Sequence, residues 1–114
     1  MKSLLLSLVI LAATCSTTAQ ESSVQETQFK VFGNCNMCKA RIEKAVKIDG
    51  VRFAKWNKSS KMLKVAFDTT AVTADSLRQR IAAVGHDTET FKAPDSVYEG
   101  LPGCCLYRDH AATH

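Results

Sequence analysis

Residues 28–56 read QFKVFGNCNMCKARIEKAVKIDGVRFAKW, and this stretch decides the fold. Its first five residues alternate between polar and apolar side chains, which predicts a β-strand over 28–32. Gly33 and Asn34 then break the alternation, as residues of turns and loops do. A strand followed at once by a loop is therefore the first structural unit that the chain predicts.

An amphipathic helix is predicted directly after this loop, over 37–48. Cys38, Ile42 and Val46 recur at intervals of four residues, while lysine, arginine and glutamate occupy the other face. Gly50 follows the last periodic residue and favours a helix end. The pattern thus places two cysteines at the start of one helix.

The rest of the domain is predicted to add three more strands and a second helix. Strands over 51–56 and 62–67, separated by a short polar turn, predict a hairpin, and Thr73 can cap a second helix that runs through Val84. Residues 86–91 predict a fourth strand. The order β-α-β-β-α-β predicts an α+β fold, a ferredoxin-like sandwich with both helices on one face of the sheet.

The chain divides into four predicted segments. They are a signal peptide over 1–19, a flexible leader over 20–26, the βαββαβ domain over 27–91 and an irregular C-terminal extension with cysteine and histidine over 92–114. The leader is rich in serine, threonine, glutamine and glutamate, and the extension contains prolines and glycines that favour irregular backbone.

The amino terminus predicts export to the periplasm. Lys2 precedes about ten apolar residues, too few to span a bilayer, and Thr17 and Ala19 are small residues at the −3 and −1 positions of a cleavage site. The less favoured alternative is lipoprotein processing at Cys15, which follows the apolar run. Thr14 fits the position before a lipidated cysteine poorly.

Composition excludes a nucleic-acid-binding role for the predicted mature chain. The chain is 46% hydrophobic and 23% charged, as is typical of a globular domain, and its formal net charge is +4. Removal of Lys2 with the signal peptide lowers this charge by one, and no basic run or interleaved aromatic surface is present in the sequence.

Cys35 and Cys38 carry the most informative chemistry. A helix start favours an anion and lowers a thiol pKa, so both sulfurs can become thiolates near neutral pH. Two thiolates one helical turn apart suit a soft ion of low coordination number, whereas Zn(II) normally takes four ligands. This predicts Cu(I) first, with Hg(II), Ag(I) and Zn(II) as alternatives.

Over about residues 27–91 the chain resembles the heavy-metal-associated domain family, which includes copper chaperones, metal-binding domains of copper-transporting ATPases and the periplasmic mercury-binding protein. The resemblance rests on the Cys-x-x-Cys loop, the following helix, Gly50-Val51 at the second strand and Gly85 after the second helix. It implies that Cys35 and Cys38 are metal ligands. The chain departs from the family at Gly33, where the usual lead-in has methionine.

Two other interpretations of Cys35 and Cys38 stay open. Thioredoxin-like oxidoreductases also carry Cys-x-x-Cys at a helix start, but the tryptophan and proline that usually flank their motif are absent. A structural disulfide between the two is the other interpretation, since oxidising compartments form such bonds. Oxidation would abolish metal binding.

Further candidate ligands lie beyond the first loop. His86 follows Gly85, at a position where some copper chaperones place a supplementary histidine ligand. Cys104 and Cys105 are adjacent and predict extra ligands folding back over the first pair, a second site with His110 and His114, or a disulfide to another cysteine. Extra ligands would favour sequestration over delivery.

These observations predict an exported soft-metal-binding protein without enzymatic activity. We expect a Cu(I) chaperone or scavenger that passes metal by thiolate exchange to a metal-transporting membrane protein or another metal-binding protein. The alternatives are a thiol–disulfide oxidoreductase and a periplasmic Hg(II)-binding component of a mercury transport system. A monomer and a metal-bridged dimer are both compatible with the sequence.

Overall fold

The computed structural model describes residues 23–108. Within this range the elements follow the order β-α-β-β-α, and two short helical segments come after them. Their bounds are β1 Val24–Lys30, α1 Asn36–Ala45, β2 Val51–Trp56, β3 Met62–Asp68, α2 Ala74–Ala83, α3 Asp95–Glu99 and a 3₁₀ turn, Gly103–Cys105. The predicted α+β class is confirmed.

Strand β3 is the centre of a three-stranded antiparallel sheet with the order β1-β3-β2. Leu63, Val65 and Phe67 alternate along it and are almost completely buried. Such alternation directs one face of a sheet towards a core. The hairpin of β2 and β3 has its predicted position, and β1 pairs with the other edge of β3.

Helices α1 and α2 bury apolar faces in the same core. Ile42 of α1 and Leu77 and Ile81 of α2 are fully buried together with the inward side chains of β3. Thr73 caps α2 as predicted, because its side chain accepts a hydrogen bond from the backbone N–H of Ser76 and the Ser76 side chain reaches back. The helix therefore begins at a defined residue.

The first two elements differ from the predicted bounds. Strand β1 begins at Val24, inside the predicted flexible leader, because residues 24–26 pair with residues 66–68 of β3. Helix α1 ends at Ala45 rather than near Ile48. The backbone N–H of Lys47 binds the Lys44 carbonyl and turns the chain towards β2.

The predicted fourth strand is reduced to one antiparallel bridge, between Val31 and Thr88. Thr88 donates its backbone N–H to the Phe91 carbonyl, so residues 88–91 close a tight turn. The Asp87 N–H donates to the Tyr107 hydroxyl at 2.8 Å. These partners replace the ladder that a fourth strand requires.

Residues 93–108, here called the C-terminal strap, pack onto the domain. The segment was predicted to be irregular, yet it contains α3 and the 3₁₀ turn and buries Ala93, Tyr98, Cys105 and Tyr107. Apolar contacts and hydrogen bonds to the domain order this segment despite its prolines.

Three interactions hold the strap against the loop after α2. The Tyr107 hydroxyl donates to the Gly85 carbonyl at 2.7 Å, and the Tyr107 ring stacks on His86. The Arg108 guanidinium pairs with both carboxylate oxygens of Asp87 at 2.9 and 2.8 Å. A bidentate arginine–carboxylate pair fixes geometry as well as charge.

Among residues 23–108, no helix is long and apolar enough to cross a membrane.

Gly85→Ala should destabilise the protein by about 1 to 2 kcal/mol, because Gly85 has φ +110°, a left-handed conformation that penalises a Cβ atom. That Cβ would also lie 2.9 Å from a methyl carbon of Leu101 in the strap. Urea denaturation monitored by circular dichroism measures the change. Gly103→Ala is the matched control, since a Cβ there meets nothing within 4 Å, and its effect should stay within about 0.5 kcal/mol. Equal effects of the two substitutions would contradict the prediction.

Candidate metal centre

The loop between β1 and α1 places Cys35 and Cys38 side by side. Cys35 is the N-cap residue of α1 and is half-buried, whereas Cys38 lies in the first turn and is fully buried. Their sulfur atoms are 3.3 Å apart. The backbone N–H of Asn34 donates to the Cys38 Sγ at 3.5 Å, so the loop backbone directs polar hydrogens at the sulfurs.

Gly33 allows this loop to lie against Trp56. A Cβ atom at position 33 would be 3.1 Å from both the Cys38 Cβ and the Trp56 ring. Trp56 is nearly fully buried, and its indole N–H donates to the Val31 carbonyl at 3.0 Å. The tryptophan therefore occupies the space beside the loop, which gives a physical reason for glycine at this point.

Cys105 of the strap joins the first two thiols. Its Sγ lies 3.3 Å from the Cys35 Sγ, and the side chain is fully buried. The sulfur atoms of Cys35, Cys38 and Cys105 all lie within 4.8 Å of one another. The separations of 3.3 Å exceed a disulfide bond of about 2.05 Å, and the four described cysteines are free thiols.

Cys104 lies on the solvent side of this cluster. Its Sγ is 3.7 Å from the Cys35 Sγ and 3.8 Å from the Cys105 Sγ. The thioether sulfur of Met37, an exposed residue, is 3.5 Å from the Cys104 Sγ. Five sulfur atoms thus gather at one end of the domain, and two of them face solvent.

The thiols differ in how readily they lose a proton. Burial raises the pKa of Cys35, but hydrogen bonds with the backbone N–H of Cys38 and with the thiols of Cys38, Cys105 and Cys104 outweigh burial and lower this pKa to about 7. Burial raises the pKa of Cys38 to about 12. Hydrogen bonding to Cys35 and Cys105 raises the pKa of Cys104 to about 11. Of these three thiols, Cys35 is therefore the first to become a thiolate.

His86 lies beside the cluster with both ring nitrogens engaged elsewhere. Its Nδ1 is 2.8 Å from the Phe32 carbonyl oxygen, so Nδ1–H is the donor and Nε2 is an acceptor. The Arg41 Nη1 lies 3.4 Å from this Nε2. Burial lowers the pKa of His86 to about 4, so the imidazole is neutral at pH 7. The group of three metal-ligating atoms found among the described residues does not include His86.

Arg41 is the residue of this site that the sequence did not single out. Its guanidinium Nη1 donates to the Cys105 Sγ at 3.3 Å as well as facing His86. In the sequence it belongs to the charged face of α1. Its position three residues after Cys38 indicates only that it lies near the cysteine loop. The contacts to Cys105 and His86 come from distant parts of the chain and left no signal in the local sequence.

The candidate ligands at His110 and His114, and the alternative lipidation site Cys15, lie outside the described residues. The metal-ligand roles of Cys35, Cys38, His86, Cys104 and Cys105 stay predictions. The structure brings the four thiols together and places His86 behind Arg41.

The three inner sulfurs fit a soft ion. A metal–sulfur bond of about 2.3 Å places the sulfurs of a trigonal site about 4.0 Å apart by simple geometry. The observed separations range from 3.3 Å to no more than 4.8 Å. Small side-chain adjustments therefore suffice to bring all three sulfurs to bonding distance.

The chain is similar in fold to solved metal-binding domains. It shares 29% identity with the CopZ metallochaperone, with a TM-score of 0.54 over 56% of this chain and 98% of the other. The N-terminal domain of a potential copper-translocating P-type ATPase from Bacillus subtilis in the Cu(I)-loaded state is 25% identical, with a TM-score of 0.55 over 65% and 95%. Oxidized MerP from Ralstonia metallidurans CH34, at 24% identity and a TM-score of 0.54 over 58% and 94%, shows the shared fold alone.

No protein-family model matches the chain, and no curated protein matches it in sequence. The solved structures it resembles are heavy-metal-associated domain proteins, so the resemblance inferred from the sequence is confirmed. Together with the thiol cluster, these structures support two statements: the protein binds a soft metal, and its partner is a metal-handling protein.

Cys35 should be alkylated before the more exposed Cys104 in the reduced, metal-free chain. Its pKa of about 7 predicts a half-maximal rate near pH 7 and a fall of about tenfold for each pH unit below it, because the thiolate is the nucleophile. Iodoacetamide labelling followed by peptide mass mapping measures both sites in one molecule. Cys104, with a pKa raised to about 11, is the internal control. Faster labelling of Cys104 at pH 7 would contradict the proposed order.

Proposed function

We propose that the protein is an exported Cu(I) carrier or scavenger, with Cys35 and Cys38 as its primary ligands. The observation that carries this proposal is the group of three thiols within 4.8 Å of one another. Thiolates select soft ions such as Cu(I). The likeness to a metallochaperone and to a Cu(I)-loaded ATPase domain supports the same assignment.

Transfer of the ion would proceed by thiolate exchange. Cys35 is the partly exposed member of the inner group, whereas Cys38 and Cys105 are buried. It is therefore the inner ligand that an approaching partner reaches first. A partner thiolate forms its bond to the metal while a protein thiolate leaves, and no free ion is released. The proposed partner is a metal-transporting membrane protein or another metal-binding protein.

Cys35→Ser and Cys38→Ser should each lower Cu(I) affinity by more than about 100-fold. Loss of a residue that supports a metal ligand lowers metal affinity by about 10- to 100-fold. Loss of a ligand itself should lower the affinity further. Competition with a chromophoric Cu(I) chelator under anaerobic, reducing conditions measures the affinity. Asn36→Ser is the matched control, since it introduces the same side chain between the two cysteines at an exposed position.

Cu(I) affinity should also fall as the pH is lowered, because Cys38 must release its proton when it binds metal. Below pH 7 Cys35 adds a further proton to be displaced.

Unchanged affinity in both cysteine variants would refute the proposal. Insulin reduction by the metal-free protein at rates lost in Cys35→Ser would instead favour the oxidoreductase alternative.

Export to the periplasm is part of the proposal. Expression of the full chain in a Gram-negative host should give a mature periplasmic protein that begins at Gln20, because Thr17 and Ala19 fit a signal-peptidase site. Intact-mass analysis of the periplasmic fraction measures the cleavage. Ala19→Arg is the control that should block processing. Retention of Met1 would contradict export by this signal, and a lipid-modified Cys15 would favour the lipoprotein alternative.

A further inference from the structure

We propose that Cys105 is a third ligand of the same ion and that the C-terminal strap thereby makes the site retentive, with Arg41 as an outer-sphere cation. This inference rests on the proposed function, since it concerns the ion held by Cys35 and Cys38. The third sulfur comes from the C-terminal strap, whereas the first two come from the loop between β1 and α1.

Cys105 has a fixed position, unlike a sulfur on a loose tail. Its side chain is fully buried in the apolar core, and its backbone N–H donates to the Pro102 carbonyl at 2.8 Å within the 3₁₀ turn. Two residues later Tyr107 is held between the Gly85 carbonyl and the Asp87 N–H, at 2.7 and 2.8 Å. The Cys105 sulfur is therefore delivered to within 3.3 Å of Cys35 by a strap with its own anchors.

Arg41 supplies the positive charge that a three-thiolate site needs. Three thiolates around one monovalent ion leave excess negative charge, which is costly at a buried position unless a cation or hydrogen bonds compensate for it. The Arg41 Nη1 donates to the Cys105 Sγ at 3.3 Å. The guanidinium therefore lies close enough to offset part of the negative charge that three sulfur ligands bring to the ion.

His86 acts as a positioning residue through Arg41. The Phe32 carbonyl fixes Nδ1 as the protonated nitrogen, so the lone pair of Nε2 faces Arg41. Metal sites commonly orient their ligands through such surrounding contacts. This arrangement gives the buried imidazole a role without direct coordination.

The consequence is slower exchange than in a two-thiolate site. When an ion is held by two ligands, an incoming thiolate occupies the vacant third position. Here Cys105 already fills that position from the protein's interior. A partner's thiolate must form its bond to the ion as the Cys105 or Cys35 thiolate leaves, and the released thiolate then takes a proton from solvent. This requirement favours storage over rapid delivery.

Copper K-edge X-ray absorption on the full chain loaded with one equivalent of Cu(I) tests the inference. The wild type should show three sulfur ligands, Cys105→Ser only two, and Cys104→Ser three. Cys104→Ser is the matched control, because it is the same substitution at the adjacent, solvent-exposed cysteine. Cys105→Ser should also lose its ion to a competing chelator at least about tenfold faster.

Several results would overturn the inference. Two sulfur ligands in the wild type, or three sulfur ligands in Cys105→Ser, would each do so. So would a wild type that shows three sulfur ligands only when light scattering detects a dimer. If the chain instead fails to bind Cu(I) at one equivalent, the proposed function itself fails.

Should Cys105 variants not fold, the double variant Cys104→Ser/Met37→Leu decides, since Cys105 then supplies the remaining sulfur. Two sulfurs in that variant would rule out Cys105.

Arg41→Gln should lower Cu(I) affinity by about 10- to 100-fold, as expected for loss of an outer-sphere partner. Lys44→Gln is the control, because it removes the same charge from an exposed position of the same helix. If Arg41 had only a structural role, the number of sulfur ligands in Arg41→Gln would stay at three. We expect it to shift from three towards two. Equal affinities of the two variants would refute the outer-sphere role.

Discussion

The contact of Tyr107 with the loop after α2 is the interaction on which the thiol cluster depends. The hydroxyl group donates to the Gly85 carbonyl and accepts from the Asp87 N–H, and Arg108 adds two hydrogen bonds to the Asp87 carboxylate. This contact fixes the path of the strap close to Cys105, and so helps to hold the Cys105 sulfur beside Cys35. One buried tyrosine thus links the far end of the described chain to a site at its beginning.

Local patterns predicted most of the domain because the information lies within short segments. The alternation in β3, the four-residue spacing in α1 and the cap at Thr73 each specify an element without reference to distant residues. The fourth strand failed as a prediction because distant and local partners compete for the same backbone groups. Phe91 closes a turn with Thr88, and Tyr107 binds the Asp87 N–H.

The site was predictable only in part, for the same reason. Cys35 and Cys38 are three residues apart, so their proximity follows from helix geometry. Cys105 meets Cys35 from seventy residues away, and only the anchored strap defines that meeting. Arg41 looked like a solvated helix residue, because its spacing cannot show that a thiol and an imidazole approach it from other elements. Long-range contacts turned an apparent surface charge into part of the site.

The packing of Gly33 against Trp56 has an optical consequence. Trp56 is the single tryptophan of the chain, and its buried ring lies close to both the loop glycine and the Cys38 side chain. Its fluorescence therefore originates within a few ångströms of the Cys38 side chain, with no other indole to obscure it. Heavy ions quench nearby excited indoles, so the native emission can follow occupancy of the thiols in real time without an attached dye.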